Sequence, residues 1–368
     1  METASPSLCR AGKGDGCSNN QILLAARLLK MQHFRPVSSS VRFTPTADRF
    51  RVISVLYRPL RRPMSTPRAQ MSTSTIPTPR PSASLVVVNN RNEILLVHRN
   101  PKASSFGGMH VFPGGNLDTK QDHSIAITAI RETFEESGLL LASSTSSAPL
   151  PSDAVLDEAR HAIHQQNLEF QTFLQNNGLK ADVDALLPFT QWITPVGPPK
   201  RFHTQFFVAF LPGVPSSGFS SGAKQERVPK HDGGQEVIEA RFVHPQQALD
   251  ECRERKISLM PPQYYILSTL ADVLGGSSNT PDQRRKVEAL SRGAFGHMVI
   301  NPRRLAEDEN GRTILTYEGD ETRGGSKGRL HRAHAMLKGG ASSDITLIRN
   351  FDIFTEIEPQ AFSPPSKL

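Results

Sequence analysis

Glu132, Glu135 and Glu136 stand at i, i+3 and i+4, so if their segment is helical one turn carries three carboxylates on a common side. Like charges so placed repel one another on a bare helix. A divalent cation is the direct way to offset that repulsion, and hard oxygen donors suit magnesium or manganese. A solvated acidic face would use the same residues, so the surrounding sequence has to decide between the two. The helical pattern is present: from Ser124 to Ser137 the positions Ala126, Ala129, Ile130, Thr133 and Phe134 recur at helical spacing opposite the glutamates. Asp122 or Ser124 would cap this helix and Gly138 would stop it.

Other elements must hold that helix in place. Ser84 to Val88 and Glu93 to His98 read as strands around the turn 89–92, a hairpin pattern. The stretch Phe112-Pro113-Gly114-Gly115 follows, and its glycines, lacking Cβ, allow a tight bend and a close approach of backbone to phosphate. Downstream, a helical stretch is expected over about 152–177, strands over Phe189 to Ile193 and Thr204 to Leu211, a Gly/Ser/Pro-rich loop from Gly213 to Gly234, and a strand from Glu236 to Val243. Helices near Pro245 to Arg255 and Pro261 to Leu274 come next, and strands Met298 to Ile300 and Thr313 to Tyr317 form a small C-terminal addition. The interspersion of strands and helices argues a mixed α/β layer fold.

The helix reads Arg131-Glu132-Thr133-Phe134-Glu135-Glu136-Ser137-Gly138-Leu139. With the glycines before it, this resembles the Nudix box: Gly, five residues, Glu, seven residues, Arg-Glu, an aliphatic residue, any residue, Glu-Glu, any residue, Gly and an aliphatic residue. The resemblance implies an α/β/α sandwich with a mixed sheet, and magnesium or manganese held by Glu135 and Glu136 with Glu132 as third ligand. It also implies that Arg131 braces the glutamates by pairing with them. Two features depart from the pattern. Sixteen steps separate Gly115 from Arg131 where the family has fourteen, which puts Gln121 or His123 in place of the upstream Glu, and Thr133 stands where an aliphatic residue is usual.

The lengthened box, with Leu95-Leu96-Val97-His98-Arg99-Asn100-Pro101, Trp192-Ile193-Thr194-Pro195, Arg201-Phe202-His203-Thr204-Gln205-Phe206-Phe207 and Pro261-Pro262-Gln263-Tyr264-Tyr265, is similar to the Nudix branch of peroxisomal acyl-coenzyme A diphosphatases. That resemblance spans about 84–275. It implies hydrolysis of the diphosphate of coenzyme A or an acyl-coenzyme A to adenosine 3′,5′-bisphosphate and (acyl-)phosphopantetheine. A coenzyme A substrate needs cations for its 3′-phosphate, for which Arg99, Lys102, Lys200 and Arg201 are candidates, Arg201 foremost. It also needs a stacking surface for adenine, for which Phe202 and Phe206 are candidates, although aromatic residues on a strand are more often core. Gly114 and Gly115 would lie against the phosphates. Glu136 or Glu236 would act as general base, with Asp232 and Glu239 as neighbours of the second. Two other readings stand beside this one: a Nudix hydrolase of NADH or a nucleotide sugar, and a catalytically silent Nudix module that binds nucleotide or protein.

Composition sets the outer bounds. The 368 residues carry a formal charge of +8, but residues 1–83 hold 13 Lys and Arg against 3 Asp and Glu, leaving 30 against 32 elsewhere. The basic excess therefore belongs to a leader and argues against nucleic acid as a partner of the folded part. Three cysteines, Cys9, Cys17 and Cys252, argue against a disulfide framework. No apolar run reaches the roughly 18 to 20 residues of a transmembrane helix. The expected organisation is a basic Ser/Pro-rich leader over 1–83, a Nudix domain over 84–275 and a C-terminal extension over 276–368. The leader has the composition of a mitochondrial presequence, of a disordered tail, or of sequence upstream of a start at Met64 or Met71. Ser366-Lys367-Leu368 is the tripeptide that a peroxisomal import receptor reads, so the peroxisome is the expected compartment and the mitochondrion the alternative.

Overall fold

The computed structural model describes residues 76–356 apart from 104, 146–149, 212–231, 233–235 and 339–340. Residues 1–75 of the expected leader, most of the Gly-rich loop and the C-terminal tripeptide lie outside the described residues, while residues 80–83, expected to belong to the leader, open the first strand. In chain order the strands and helices begin with β1 Arg80–Val88, β2 Ile94–Arg99, β3 His110–Val111, β4 Gly114–Asn116 and α1 Ile125–Ser137. Next come β5 Ala142–Ser144, α2 Asp153–His164, α3 Phe170–Asn176, β6 Leu179–Ala181, β7 Leu187–Ile193, β8 Phe202–Phe210 and β9 Val237–Val243. Helices α4 Pro245–Arg253, α5 Pro261–Ala271, α6 Pro281–Arg292 and α7 Ala294–His297 follow, and then β10 Val299–Ile300, β11 Arg303–Glu307, β12 Thr313–Thr316, β13 His331–Lys338 and β14 Ala341–Arg349.

The main sheet is mixed, ordered β10-β7-β8-β1-β2-β3, with β4 also on β1 and β9 also on β2. Strand β1 runs parallel to β8 and antiparallel to β2, and it is buried on both faces. That double burial is why it reads as an unbroken apolar run. Its alternation builds two cores. Leu85 and Val87 face α1, α2 and α3, where Phe134, Phe170 and Phe173 meet; Val86 and Val88 face α5 and the C-terminal region. Helices thus cover both faces of one mixed sheet, an α/β/α sandwich.

Two elements differ from the sequence reading. The helical stretch 152–177 is broken into α2 and α3, because Gln166 adopts a positive φ of 59° between them and the chain turns there. The C-terminal strands are more than a small addition. Strand β10 extends the main sheet in parallel with β7, and β11 to β14 form a separate four-stranded sheet. Ala333 and Ile345 from that second sheet, and Tyr317 just after β12, enter the same core as Trp192 and Tyr265. The described residues all belong to one compact unit, 72–368. Among them no helix is long and apolar enough to cross a membrane.

Candidate active site

Helix α1 starts where Ser124 accepts a bond from the Ile127 amide and ends where Gly138, at φ 75°, takes the left-handed conformation and donates to the Phe134 carbonyl. Ser124 is therefore the cap, and Asp122 is left for another task. It is buried, and it takes Arg131 Nε and Nη2 at 2.8 Å each, with the Thr128 hydroxyl at 2.9 Å. Arg131 Nη1 turns the other way, 2.8 Å from Glu135 Oε1 and 3.0 Å from Glu132 Oε1. Burial opposes the charge on Arg131, but Asp122, Glu132 and Glu135 more than offset it and hold the guanidinium charged.

The glutamates point away from the apolar stripe, as expected, but they do not form a solvated face. Glu135 and Glu136 are buried: the end of α2 folds over Glu135, and Arg99 and the Gly114 amide bond to Glu136. Arg160 Nε donates to the Glu135 carbonyl at 2.7 Å, and His164 Nδ1 lies 3.4 Å from Glu135 Oε2. Burial raises the pKa of Glu132, and Glu135 and Glu136 beside it add to the rise while Arg131 opposes it. Burial also pushes Glu136 up to about 7, although Arg99 and the Gly114 amide, which donates to it at 3.1 Å, both favour its charge. His164 is pushed up to about 9, chiefly by its bond to Glu135.

Each remaining site candidate has a definite place. Arg99 bridges two carboxylates, with Nη1 2.8 Å from Glu136 Oε1 and Nη2 2.8 Å from Glu236 Oε2. Its guanidinium is thus committed to carboxylates rather than held out towards a ligand. Of the three acids near the Gly-rich loop, Glu236 lines the cleft, Asp232 accepts the amides of Glu236 and Val237, and Glu239 lies beside His98 and His110. Gly114 and Gly115 lie close against protein groups: a Cβ at Gly114 would meet the Ala83 carbonyl of β1, and one at Gly115 would fall on the Glu132 carboxylate.

Arg201 and Phe202 are not brought to the cleft. Arg201 is buried and gives Nε to the Thr194 carbonyl at 2.9 Å and Nη1 to the Pro77 carbonyl at 3.0 Å, tying the chain before β1 to the turn between β7 and β8. Phe202 lies against Phe106, with ring centroids 5.8 Å apart, and Phe206 is core, edge-on to Phe112. Lys102 and Lys200 are exposed. Gln121 lines the cleft and His123 is exposed, so the inserted segment turns Gln121 inward.

The cleft holds about 250 Å³, walled by Asn116, Asp118 and Gln121 on one side and by Ile163, His164 and Gln166 on the other. The α2 wall was not found from sequence, since nothing local distinguishes His164 from any histidine at a helix end. Glu132, Glu135 and Glu136 fit a divalent cation: they are hard donors on one turn, and burial, with neighbouring carboxylates adding to it, raises the pKa of Glu132 and Glu136.

A mixed sheet sandwiched by helices, with an Arg-braced glutamate helix packed against a Gly-Gly strand, defines the Nudix class, and residues 120–270 match the family model described as the NUDT19 Nudix domain. Over that segment the chain resembles the Nudix hydrolases. It is 27% identical over 206 residues to "Putative nudix hydrolase 7" of Caenorhabditis elegans, covering 53% of this chain and 61% of that protein. It is 30% identical over 165 residues to "Acyl-coenzyme A diphosphatase NUDT19" of Gallus gallus, covering 40% of each. A crystal structure of a Nudix hydrolase from Alicyclobacillus acidocaldarius aligns at 22% identity and a TM-score of 0.47, over 59% of this chain and 98% of that one. The chain thus spans less than two thirds of the length of either curated relative.

Proposed function

We propose that this protein hydrolyses the diphosphate bond of coenzyme A or an acyl-coenzyme A, with magnesium or manganese, to adenosine 3′,5′-bisphosphate and (acyl-)phosphopantetheine. The observation that carries the hydrolytic part is the set of partly buried Glu132 and buried Glu135 and Glu136, with Arg131 bracing Glu132 and Glu135 beside the glycine strand β4. Its three carboxylates would hold the metal, which when bound neutralises the diphosphate and lowers the pKa of a water. Support for coenzyme A comes from the similarity to the chicken acyl-coenzyme A diphosphatase and from the sequence likeness to that branch.

The chain's own residues supply the rest. Arg131, fixed by Asp122, keeps Glu132 and Glu135 turned into the cleft. Glu136 and Glu236 share Arg99 and are the two carboxylates placed to accept a proton from the attacking water. Arg99 moves from them to a phosphate oxygen when the substrate's charge enters, which reconciles its bonded state with a binding role. At about 250 Å³ the cleft falls below the roughly 300 to 1,000 Å³ of pockets that enclose a whole drug-sized ligand. It would take the diphosphate and leave adenosine and pantetheine on the rim.

The test is incubation of the full chain with magnesium and coenzyme A, an acyl-coenzyme A or NADH, following products by mass spectrometry beside a Glu135→Gln control. Adenosine 3′,5′-bisphosphate that is lost in the control is the expected result. Turnover of NADH alone would keep the diphosphatase reading and remove the coenzyme A one. Silence on all three would favour a binding module.

A further inference from the structure

We propose that His98, His110 and Glu239 form a second cation site, for a transition metal of the zinc class, on the sheet face opposite the carboxylate cleft. The three residues occupy one row across adjacent strands: His98 on β2 is in register with His110 on β3 and with Glu239 on β9. A ligating atom of each lies within 4.8 Å of those of the other two. Alternation along β2 places the row. Leu95 faces the α1 core and Leu96 the α5 core, so His98 falls on the α5 side while Arg99, the next residue, reaches the cleft.

The donor set selects the ion. Two imidazoles and one carboxylate suit zinc and its neighbours, whereas the all-oxygen cluster of the cleft suits magnesium. Three protein ligands would leave a fourth position to solvent. His110 is 6% exposed and its Nδ1 has no hydrogen-bond partner, although buried polar atoms are ordinarily paired. The two rings are stacked, with centroids 4.1 Å apart. Ligands of a tetrahedral zinc lie about 3.4 Å apart, so half-buried His98 and exposed Glu239 must rotate inward. The competing cation is Arg241, whose Nε is 3.6 Å from Glu239. Arg241 also pairs with Glu251, so it keeps a partner when Glu239 turns to the metal. Because Arg99 follows His98 directly and Glu236 lies three residues before Glu239, an ion here would stiffen both strand ends that flank the cleft.

The experiment uses the full chain carrying Glu135→Gln, to weaken the cleft's own cation site, after stripping with a chelator. Cobalt is added and followed by its visible absorption, and zinc affinity is measured by competition with a chromophoric chelator, in that parent and with His98→Ala or Glu239→Gln added. Expected are one equivalent of zinc that excess magnesium does not displace, a cobalt spectrum of tetrahedral or five-coordinate type, and a loss of affinity on the order of tenfold or more in each added variant. His98 is chosen over buried His110 so that folding, checked by thermal melting, is preserved. Equal zinc affinity in parent and His98→Ala, or no tight zinc in the parent, overturns the proposal and leaves a stacked histidine pair with Glu239 held by Arg241.

Discussion

Arg131 and Asp122 form a doubly bonded buried pair, Nε to Oδ1 and Nη2 to Oδ2, both at 2.8 Å. The pair anchors one end of the guanidinium so that its other end can hold Glu132 and Glu135. Asp122→Asn keeps the shape and removes the charge, leaving a buried cation short of a partner. A loss of about 3 kcal/mol in unfolding free energy is expected by denaturant titration, with weaker magnesium binding by calorimetry. Unchanged stability would mean that Glu132 and Glu135 suffice for Arg131.

The two glycines of β4 separate stability from function. In Gly115→Ala the new methyl meets only the end of a flexible side chain, so the fold stays and the Glu132 carboxylate is pushed aside. Turnover and magnesium affinity should drop on the order of tenfold while the melting temperature holds. In Gly114→Ala the methyl meets β1 backbone, and a loss of about 1 to 3 kcal/mol is expected. Equal behaviour of the two variants in both assays would contradict this division.

Arg201→Met tests whether that arginine touches substrate. It removes bonds to two backbone carbonyls, so about 1 to 3 kcal/mol of stability should go, with KM for coenzyme A unchanged. A rise in KM without loss of stability would return Arg201 to the binding surface.

His331 should make stability depend on pH. It is buried, with Nδ1–H donating to the Glu318 carbonyl at 2.7 Å and Nε2 accepting from Tyr265 Oη at 2.9 Å, so its neutral form is fully bonded. Burial pushes its pKa down to about 4; the Glu318 bond opposes this, and Arg349 and Arg329 reinforce it. The folded value lies below the unfolded one, near 6.5, so the unfolded state takes up the proton first. The contribution is complete above pH 6.5 and is lost as pH falls towards 4. Between pH 7 and pH 5 the chain should lose about 2 kcal/mol that His331→Asn does not, read as the difference between their denaturation curves. Parallel curves would show that the fold leaves the pKa of His331 unshifted.

The glutamate turn is legible because its information is local: cap, stripe, glutamates and stop all lie within Ser124 to Gly138. What surrounds it depends on residues that meet across long stretches of chain. Asp122 looks like a cap until Ser124 is seen to fill that role, and Arg201 looks like a ligand for phosphate until the carbonyls of Thr194 and Pro77 are found around it. His164 closes over Glu135 because α2 packs against α1, a contact between two helices that the pattern over 152–177 does not signal. The glycines read as close approaches, but their protein neighbours, the β1 backbone for Gly114 and the Glu132 carboxylate for Gly115, are distant in sequence.

The aromatic cluster of Trp192, Tyr265, Tyr317 and His331 draws two of its members from each side of residue 275, and Trp192 and Tyr265 each make edge contacts with Tyr317 at 5.3 and 5.8 Å. Neither portion can be exchanged or shortened alone without exposing large apolar rings. In descent the two are therefore tied: a related chain that keeps Trp192 and Tyr265 facing this side must inherit the C-terminal sheet as well, or replace it with a partner that covers the same ground.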